Sequence, residues 1–364
     1  MPYPPNYGGV IDVFYKLVWL KKSGVKVYLH CFTYGRSPSK ELEAICEEVY
    51  YYPRKTGIIS NLSYLPYTVR SRQSAELEKN LLSNDYPILF EVLHTCYLIN
   101  DPRFSKRIKI YRHSNIEHVY YYHLAKAEKN LLKRAYLKIE ARKLERFEMV
   151  IESAQYILAV NEEDSNYFSQ KYSSPKTIFI PSFHPNTEPE IKPGKGNYIL
   201  YHGNLSVSEN YEAADWLITN VFNILPHKVI IAGLNAPDFL KKRISENKNI
   251  ELVENPSEEK MNELIANAHI HCLYTHQATG LKLKLLNVLF KGRFVVCNPS
   301  ILSGTKLGNT GNTGLYIAEN RKDFTTIITD LVEKEFTSQL ADLRVKSLGF
   351  YSNQTNITKL LEIL

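Results

Sequence analysis

Apolar and polar positions along the chain spell out two rounds of one pattern, short β-branched or aromatic runs followed by stretches of helical spacing. The first round starts on Met1-Pro-Tyr-Pro-Pro-Asn-Tyr-Gly-Gly, whose prolines forbid regular structure, and passes directly into a helix from Val10 to Lys22 and a strand from Val27 to Phe32. An α/β unit places a strand ahead of such a glycine turn, so the first strand is expected to be missing or supplied from elsewhere. A helix from Lys40 to Glu48, a strand at Glu48 to Tyr51 and a helix from Ala75 to Leu82 follow, with Leu62 to Arg72 ambiguous. Pro87 to His94 reads as a buried strand ending in a histidine, and Arg107 to Tyr111 as another, ending in Arg112-His113-Ser114-Asn115-Ile116-Glu117. Tyr122 to Ser153 reads as one long helix or two. Tyr156 to Val160, Glu162 to Gln170 and Thr177 to Ile180 then read as strand, helix and strand.

Pro181 to Gly196 holds four prolines and two glycines without apolar period, and is the best linker in the chain. Beyond it the pattern restarts: strands at Tyr198 to Tyr201, Lys228 to Gly233, Ile250 to Val253 and Ile270 to Leu273 alternate with helices at Glu209 to Asn220, Pro237 to Ser245 and Ser257 to Ala268. The expected division is a first domain over 1–182, a linker over 183–196, a second domain over 197–345, and a last segment over 346–364. The fold class this implies is α/β, two open parallel sheets joined by one linker.

The stretch from Tyr274 to Pro299 gathers several signals. A turn with Gly280 opens a helix that Gly292 closes, and Arg293 to Cys297 is a buried strand. The first-turn N–H groups of a helix have no internal partner and its dipole makes that end positive. Lys282 and Lys284 stand there, where acids are usual, and the mismatch suggests that a phosphate supplies the negative charge. Two solvated lysines on an amphipathic helix are the plainer alternative.

Forty-five Lys and Arg against 38 Asp and Glu leave a net charge of +7, which favours an anionic partner without demanding nucleic acid. Eight of the basic residues lie between Lys126 and Arg146 against three acids, so this helix has either a solvated face or one that rests on an anionic membrane. The 26 tyrosines suit sugar stacking or half-buried packing. Five cysteines without C-x-x-C spacing, and no apolar run near the ~18 residues of a membrane span, lead to the expectation of a cytoplasmic protein. The chain has no P-loop, no G-x-G-x-x-G, no D-x-D pair and no H-x-x-x-H, which lowers P-loop, dehydrogenase and metal-dependent readings.

Taken together, Pro-Pro-Asn-Tyr-Gly-Gly before a helix, Arg112 to Tyr121, Tyr201-His-Gly-Asn-Leu-Ser206, the Val229 to Gly233 strand, Ile250 to Leu264 and Ala278 to Val296 resemble the retaining glycosyltransferases of family 4. These have the GT-B architecture, two Rossmann-like domains with parallel sheets facing across a cleft. The resemblance implies a nucleotide-diphosphate sugar on the second domain, a saccharide or lipid-linked saccharide acceptor on the first, and no metal or other cofactor. It places Lys282, His94 and Arg112 in catalysis, and Gly9, Gly203, Asn204, Asn255, Thr279, Gly280, Lys284 and Asn287 around the donor. Ser114, Asn115 and Glu117 fall on the acceptor side, and the last helix returns to the first domain. Departures stand at Thr279 and Asn287, where the family carries glutamates, and at Asn204 and Glu209, where it carries an arginine and a lysine. The function implied is hexosyl transfer. The alternatives are a non-catalytic relative that binds a nucleotide, a glycan or a partner glycosyltransferase, and a sugar-nucleotide epimerase, which wants more carboxylates and histidines than the chain offers.

Overall fold

The computed structural model describes residues 1–6, 8–57, 60, 63–276, 281–307 and 311–364, so Thr279 and Gly280 lie outside the described residues. The chain forms two compact units, Met1–Pro185 with Asn353–Leu364, and Asn186–Ser352.

In the first unit, helix α1 (Gly8–Lys22) comes before any strand among the described residues. Strands β1 (Tyr28–Thr33) and β2 (Glu48–Pro53) pair in parallel as a two-stranded sheet. Strands β3 (Ile88–Glu91), β4 (Lys109–Arg112), β5 (Tyr156–Ala159) and β6 (Lys176–Phe179) form a separate parallel sheet in that order. The apolar pattern runs on to His94, yet β3 stops at Glu91. Val92 takes φ 62° and ψ 158°, a region almost reserved for glycine, and a 3-10 helix, Leu93–Leu98, carries His94 away from the strand direction. The long basic segment is two helices, α2 (Glu117–Ala127) and α3 (Leu131–Phe147), because Asn130 caps the second by accepting from the N–H groups of Leu132 and Lys133. The C-terminal helix Asn353–Leu361 buries Ile357 and Leu360 against Trp19, Leu20, Ile110 and Leu158. Part of the tyrosine abundance serves the interior: the hydroxyls of Tyr167 and Tyr172 both donate to the buried Glu148.

In the second unit, β7 (Ile199–Asn204), β8 (Val229–Leu234), β9 (Ile250–Glu254), β10 (Ile270–Leu273), β11 (Phe294–Cys297) and β12 (Leu315–Ile317) make one parallel sheet in the order β12-β11-β10-β7-β8-β9. Helix α4 (Ser208–Asn220) follows β7, and α5 (Leu283–Lys291) follows β10. The strands are apolar almost throughout because both faces are covered, one core gathering around Tyr201, Ile231 and Val296, the other around Leu200, Ala232 and Val295. Chain order runs outward in both directions from the β7–β10 pair, which makes that pair the topological switch point. Position 233, next to the last of β8, is glycine for a steric reason: a Cβ there would stand 1.9 Å from the carbonyl oxygen of Gly203 on the neighbouring strand.

Candidate functional site

At the switch point β7 and β10 pair only at Ile270↔Ile199 and His271↔Leu200. Their carboxyl ends, Tyr201 to Asn204 and Cys272 to Leu273, therefore run on without pairing to each other, and the carboxyl ends of strands at a switch point are where open α/β sheets take ligands. Both neighbouring helix starts deliver charge there. From α4 comes Glu209, and from the start of α5 come Lys282, the residue before the helix, and Lys284 in its first turn. The first turn of α5 carries no acid and no side-chain cap, so its end is positive.

The charges are already engaged with one another. Lys282 Nζ donates to Glu209 Oε1 at 2.6 Å, and the Thr275 hydroxyl donates to the same oxygen at 2.6 Å. Burial would push the Glu209 carboxyl up, but Lys282, Thr275 and Lys284 more than reverse this and hold it below the usual glutamate range. Lys284 Nζ donates to Asn210 Oδ1 at 3.0 Å and lies 5.4 Å from the centre of the Tyr201 ring. Its ammonium is pushed down to about 8, by burial first and by Lys282 as well, with Glu209 opposing. Such an ammonium gains when a ligand anion arrives. The chain has a glutamate where the resembling family has a lysine, and its lysines come from the other helix.

Other donor-side candidates divide. Gly203 faces Asn210, whose Cγ would lie 3.2 Å from a Cβ at position 203. Asn204 folds the loop locally, its Oδ1 accepting from the Ser206 N–H and hydroxyl. Asn287 Oδ1 accepts from Asn186 Nδ2 at 2.9 Å, one turn along α5 from Lys284. Asn255 stands at the end of β9, two strands from β7, with φ 52°, and its Oδ1 accepts from the Asn235 N–H at 2.8 Å. That hydrogen bond gives Asn255 a structural task in the turn. His202 lies buried beside this cluster, neither ring nitrogen having a protein partner among the described residues. Burial first and then Lys284 push its imidazole to about 3, so it is neutral.

In the first unit the strand ends hold a second group. Arg112 is 1% exposed, and its guanidinium grips Asp12 of α1 through Nε–Oδ2 at 3.2 Å and Nη2–Oδ1 at 3.1 Å, while also donating to the Ile180 and Pro181 carbonyls. Asp12 accepts in addition from the Phe183 N–H at 2.7 Å. Burial would raise the Asp12 carboxyl; Arg112 and Lys16 keep it below the usual range. Arg112 is thereby placed inside the unit, where it ties α1 to the chain after β6. His113 is buried too, its Nε2 accepting from the Val160 N–H at 3.1 Å. His94 is half-buried, its imidazole pushed well down by burial and then by Arg72, Arg54 and the Met1 amino group. Glu117, also half-buried, is pushed up to about 7 by burial and by Glu148, with Arg72 opposing. Ser114 and Asn115 make no side-chain hydrogen bond among the described residues, and Ile116 stands at the N-cap of α2. Gly9 is exposed in the first turn of α1. Arg54, Arg72 and Glu209 carry no motif in the sequence; only the folded chain shows them beside His94, Glu117 and Lys282.

No family model matches the chain. An uncharacterised 44.6 kDa protein in the cps region of Klebsiella pneumoniae is 27% identical over 334 residues, covering 85% of this chain and 82% of that protein. Among solved structures, HepE from Anabaena in complex with UDP and glucose superposes with a TM-score of 0.66 at 12% identity, over 98% of this chain and 96% of its own. Sucrose-phosphate synthase from Thermosynechococcus elongatus gives 0.66 at 11% identity, over 98% and 92%. The fold is GT-B. The GT-B assignment agrees with the resemblance drawn from the motifs and, at these identities, rests on architecture alone.

Proposed function

We propose that the chain transfers a hexose from a nucleotide-diphosphate sugar to a saccharide or lipid-linked saccharide, with retention and without a metal. The observation that carries this is the pair Lys282 and Lys284 at the positive start of α5, beside the switch point of the second sheet. In this reading the diphosphate takes Lys282 from Glu209, and Lys284 becomes fully charged beside it. The two ammonium groups and the first-turn N–H groups then stabilise the leaving diphosphate as its charge develops. His94, neutral, and Glu117, poised near neutrality, form the acceptor side with Ser114 and Asn115. UDP bound to HepE supports the nucleotide class. A nucleotide-binding protein without turnover is the second reading, favoured by the uncharged Asn287 and by Glu209 beside Lys282.

Titration with UDP and GDP tests the donor site: ligand at 100 times its Kd adds ~2.7 kcal/mol to stability. Anion binding favours the charged form of Lys284, so affinity is expected to rise as pH falls from 9 through about 8. No stabilisation by either nucleotide at any pH removes the donor-site reading.

We propose further that α3 lies against an anionic membrane surface. Leu132 (83% exposed), Tyr136 (41%) and Ile139 (51%) recur at helical spacing on one face, with Lys129, Lys133 and Lys138 around them. No helix among the described residues is long and apolar enough to cross a membrane. Leu132→Glu with Ile139→Glu is expected to reduce sedimentation with phosphatidylglycerol vesicles by about tenfold at unchanged far-UV circular dichroism. Equal sedimentation of the variant and the parent excludes this face.

A further inference from the structure

Three strands of the first unit deliver polar side chains just past their carboxyl ends: Arg54 after β2, His94 after β3 and Glu117 after β4. Arg72 joins them from the turn after the short helix Tyr67–Arg70. The His94 imidazole lies within electrostatic reach of both guanidinium groups, and the Glu117 carboxyl within reach of that of Arg72. His94 is neutral and Glu117, pushed up to about 7 by burial, is only part ionised at neutral pH, so positive charge prevails in this group.

Arg54 is held in place. Its Nε donates to the Ser71 hydroxyl at 2.9 Å, and its guanidinium carbon stands 4.7 Å from the centre of the Tyr34 ring and 5.3 Å from that of Tyr67. The Lys55 N–H donates to the Ser71 carbonyl at 2.9 Å, which ties the chain after β2 to the segment that carries Ser71 and Arg72. Glu140, a buried acid of α3, is engaged elsewhere, its carboxylate accepting from the Tyr67 N–H at 2.7 Å and from Lys143 Nζ at 2.8 Å. Among the described residues Arg54 has no carboxylate within ion-pairing distance, and its Nη1 and Nη2 make no hydrogen bond.

Contacts through the face of a guanidinium leave its in-plane N–H groups unspent. A fork already fixed at Nε and by two aromatic rings loses little freedom when it takes a two-oxygen anion, the ligand its geometry matches.

We propose that Arg54 is a specificity-determining residue of the acceptor site, and that the acceptor carries an anionic group, a carboxylate or a phosphate, which the Nη edge of Arg54 takes with Arg72 beside it. This rests on the reading of the first unit as the acceptor side and narrows it. A uronic acid unit supplies the carboxylate, and a sugar carried on a lipid diphosphate supplies the phosphate. Tyr34 is 64% exposed, so a sugar ring stacked on it stands next to the charge.

Ligand-observed NMR titration of the full chain tests this with methyl β-glucuronide, glucose 1-phosphate and methyl β-glucoside as probes. The glucuronide or the phosphate is expected to bind about tenfold tighter than the neutral glucoside. Arg54→Gln is expected to abolish that preference while the affinities for the glucoside and for UDP stay as in the parent. Arg54→Lys keeps the charge without the fork and is expected to retain a preference of about threefold at most; it carries the test where Arg54→Gln does not fold. A preference for the glucuronide identifies a uronic acid acceptor, and one for the phosphate a lipid-diphosphate-linked acceptor. Equal affinities of the parent for acidic and neutral probes overturn the proposal, as does a preference that survives in Arg54→Gln. Phosphate binding that falls with Lys282→Ala and not with Arg54→Gln belongs to the donor side and overturns the phosphate arm. If UDP fails to bind while the preference holds, the donor reading fails and this one stands.

Discussion

Arg112→Met is expected to lower the unfolding midpoint of the protein by about 6–12 °C, the effect of losing ~3 kcal/mol in a domain of this size. The cost has two parts. Asp12 remains buried with Lys16 Nζ at 3.5 Å as its cationic partner, and the Ile180 and Pro181 carbonyls lose their donor. Asp12→Asn should cost less by itself, and the double variant should fall short of the sum, because both substitutions break one network. Differential scanning calorimetry of the three variants measures this. A variant that keeps its midpoint and loses turnover instead returns Arg112 to the reaction. The geometry speaks for the structural role, since its hydrogen bonds among the described residues end on Asp12 and on the Ile180 and Pro181 carbonyls in the interior.

Lys282→Ala is expected to weaken UDP by about 30-fold, equivalent to ~2 kcal/mol for a charge-assisted hydrogen bond in a partly buried site. Glu209→Gln should act in the opposite sense and tighten UDP, because it removes the carboxylate that holds Lys282 and repels a diphosphate. Calorimetric titration of both variants at pH 7 separates a direct contact from a general loss of structure. If Lys282→Ala binds UDP as the parent does, the diphosphate lies elsewhere. Where Lys282→Ala loses affinity and the parent shows no hydrolysis or transfer with any nucleotide sugar tried, the second reading, binding without turnover, prevails.

Helix start and strand end were legible at this site because their signals are local. A glycine-bounded helix with basic residues at its start, behind a four-residue run whose one polar member is His271, reads directly from Ile270 to Gly292. The partner of that cation does not read at all, since Glu209 is 73 positions away and stands where the resembling family has the opposite charge. Arg112 shows the same limit more sharply. Its place at a strand end suggested chemistry, while its actual partner, Asp12, lies 100 positions earlier on a helix whose apolar period gives no hint of a buried acid. His94 reads as the end of a strand because, apart from Glu91, every residue from Pro87 to Leu93 is apolar. The departure at Val92 follows from the turn the unit imposes there, against the local preference of a β-branched residue.

The sequence by itself determined the two rounds of strand and helix, the places of the sheets' buried strands and the positive start of α5. Each of these depends on burial or dipole along a contiguous segment, and periodicity reports both. Tertiary structure alone decided which strands are neighbours, and with that the switch point at β7 and β10, the capture of Lys282 by Glu209, and the division of the first unit's strands into two sheets. Strand order and ion pairing join segments remote in sequence, and hydrophobic periodicity carries no information about which of several equally apolar strands will lie side by side.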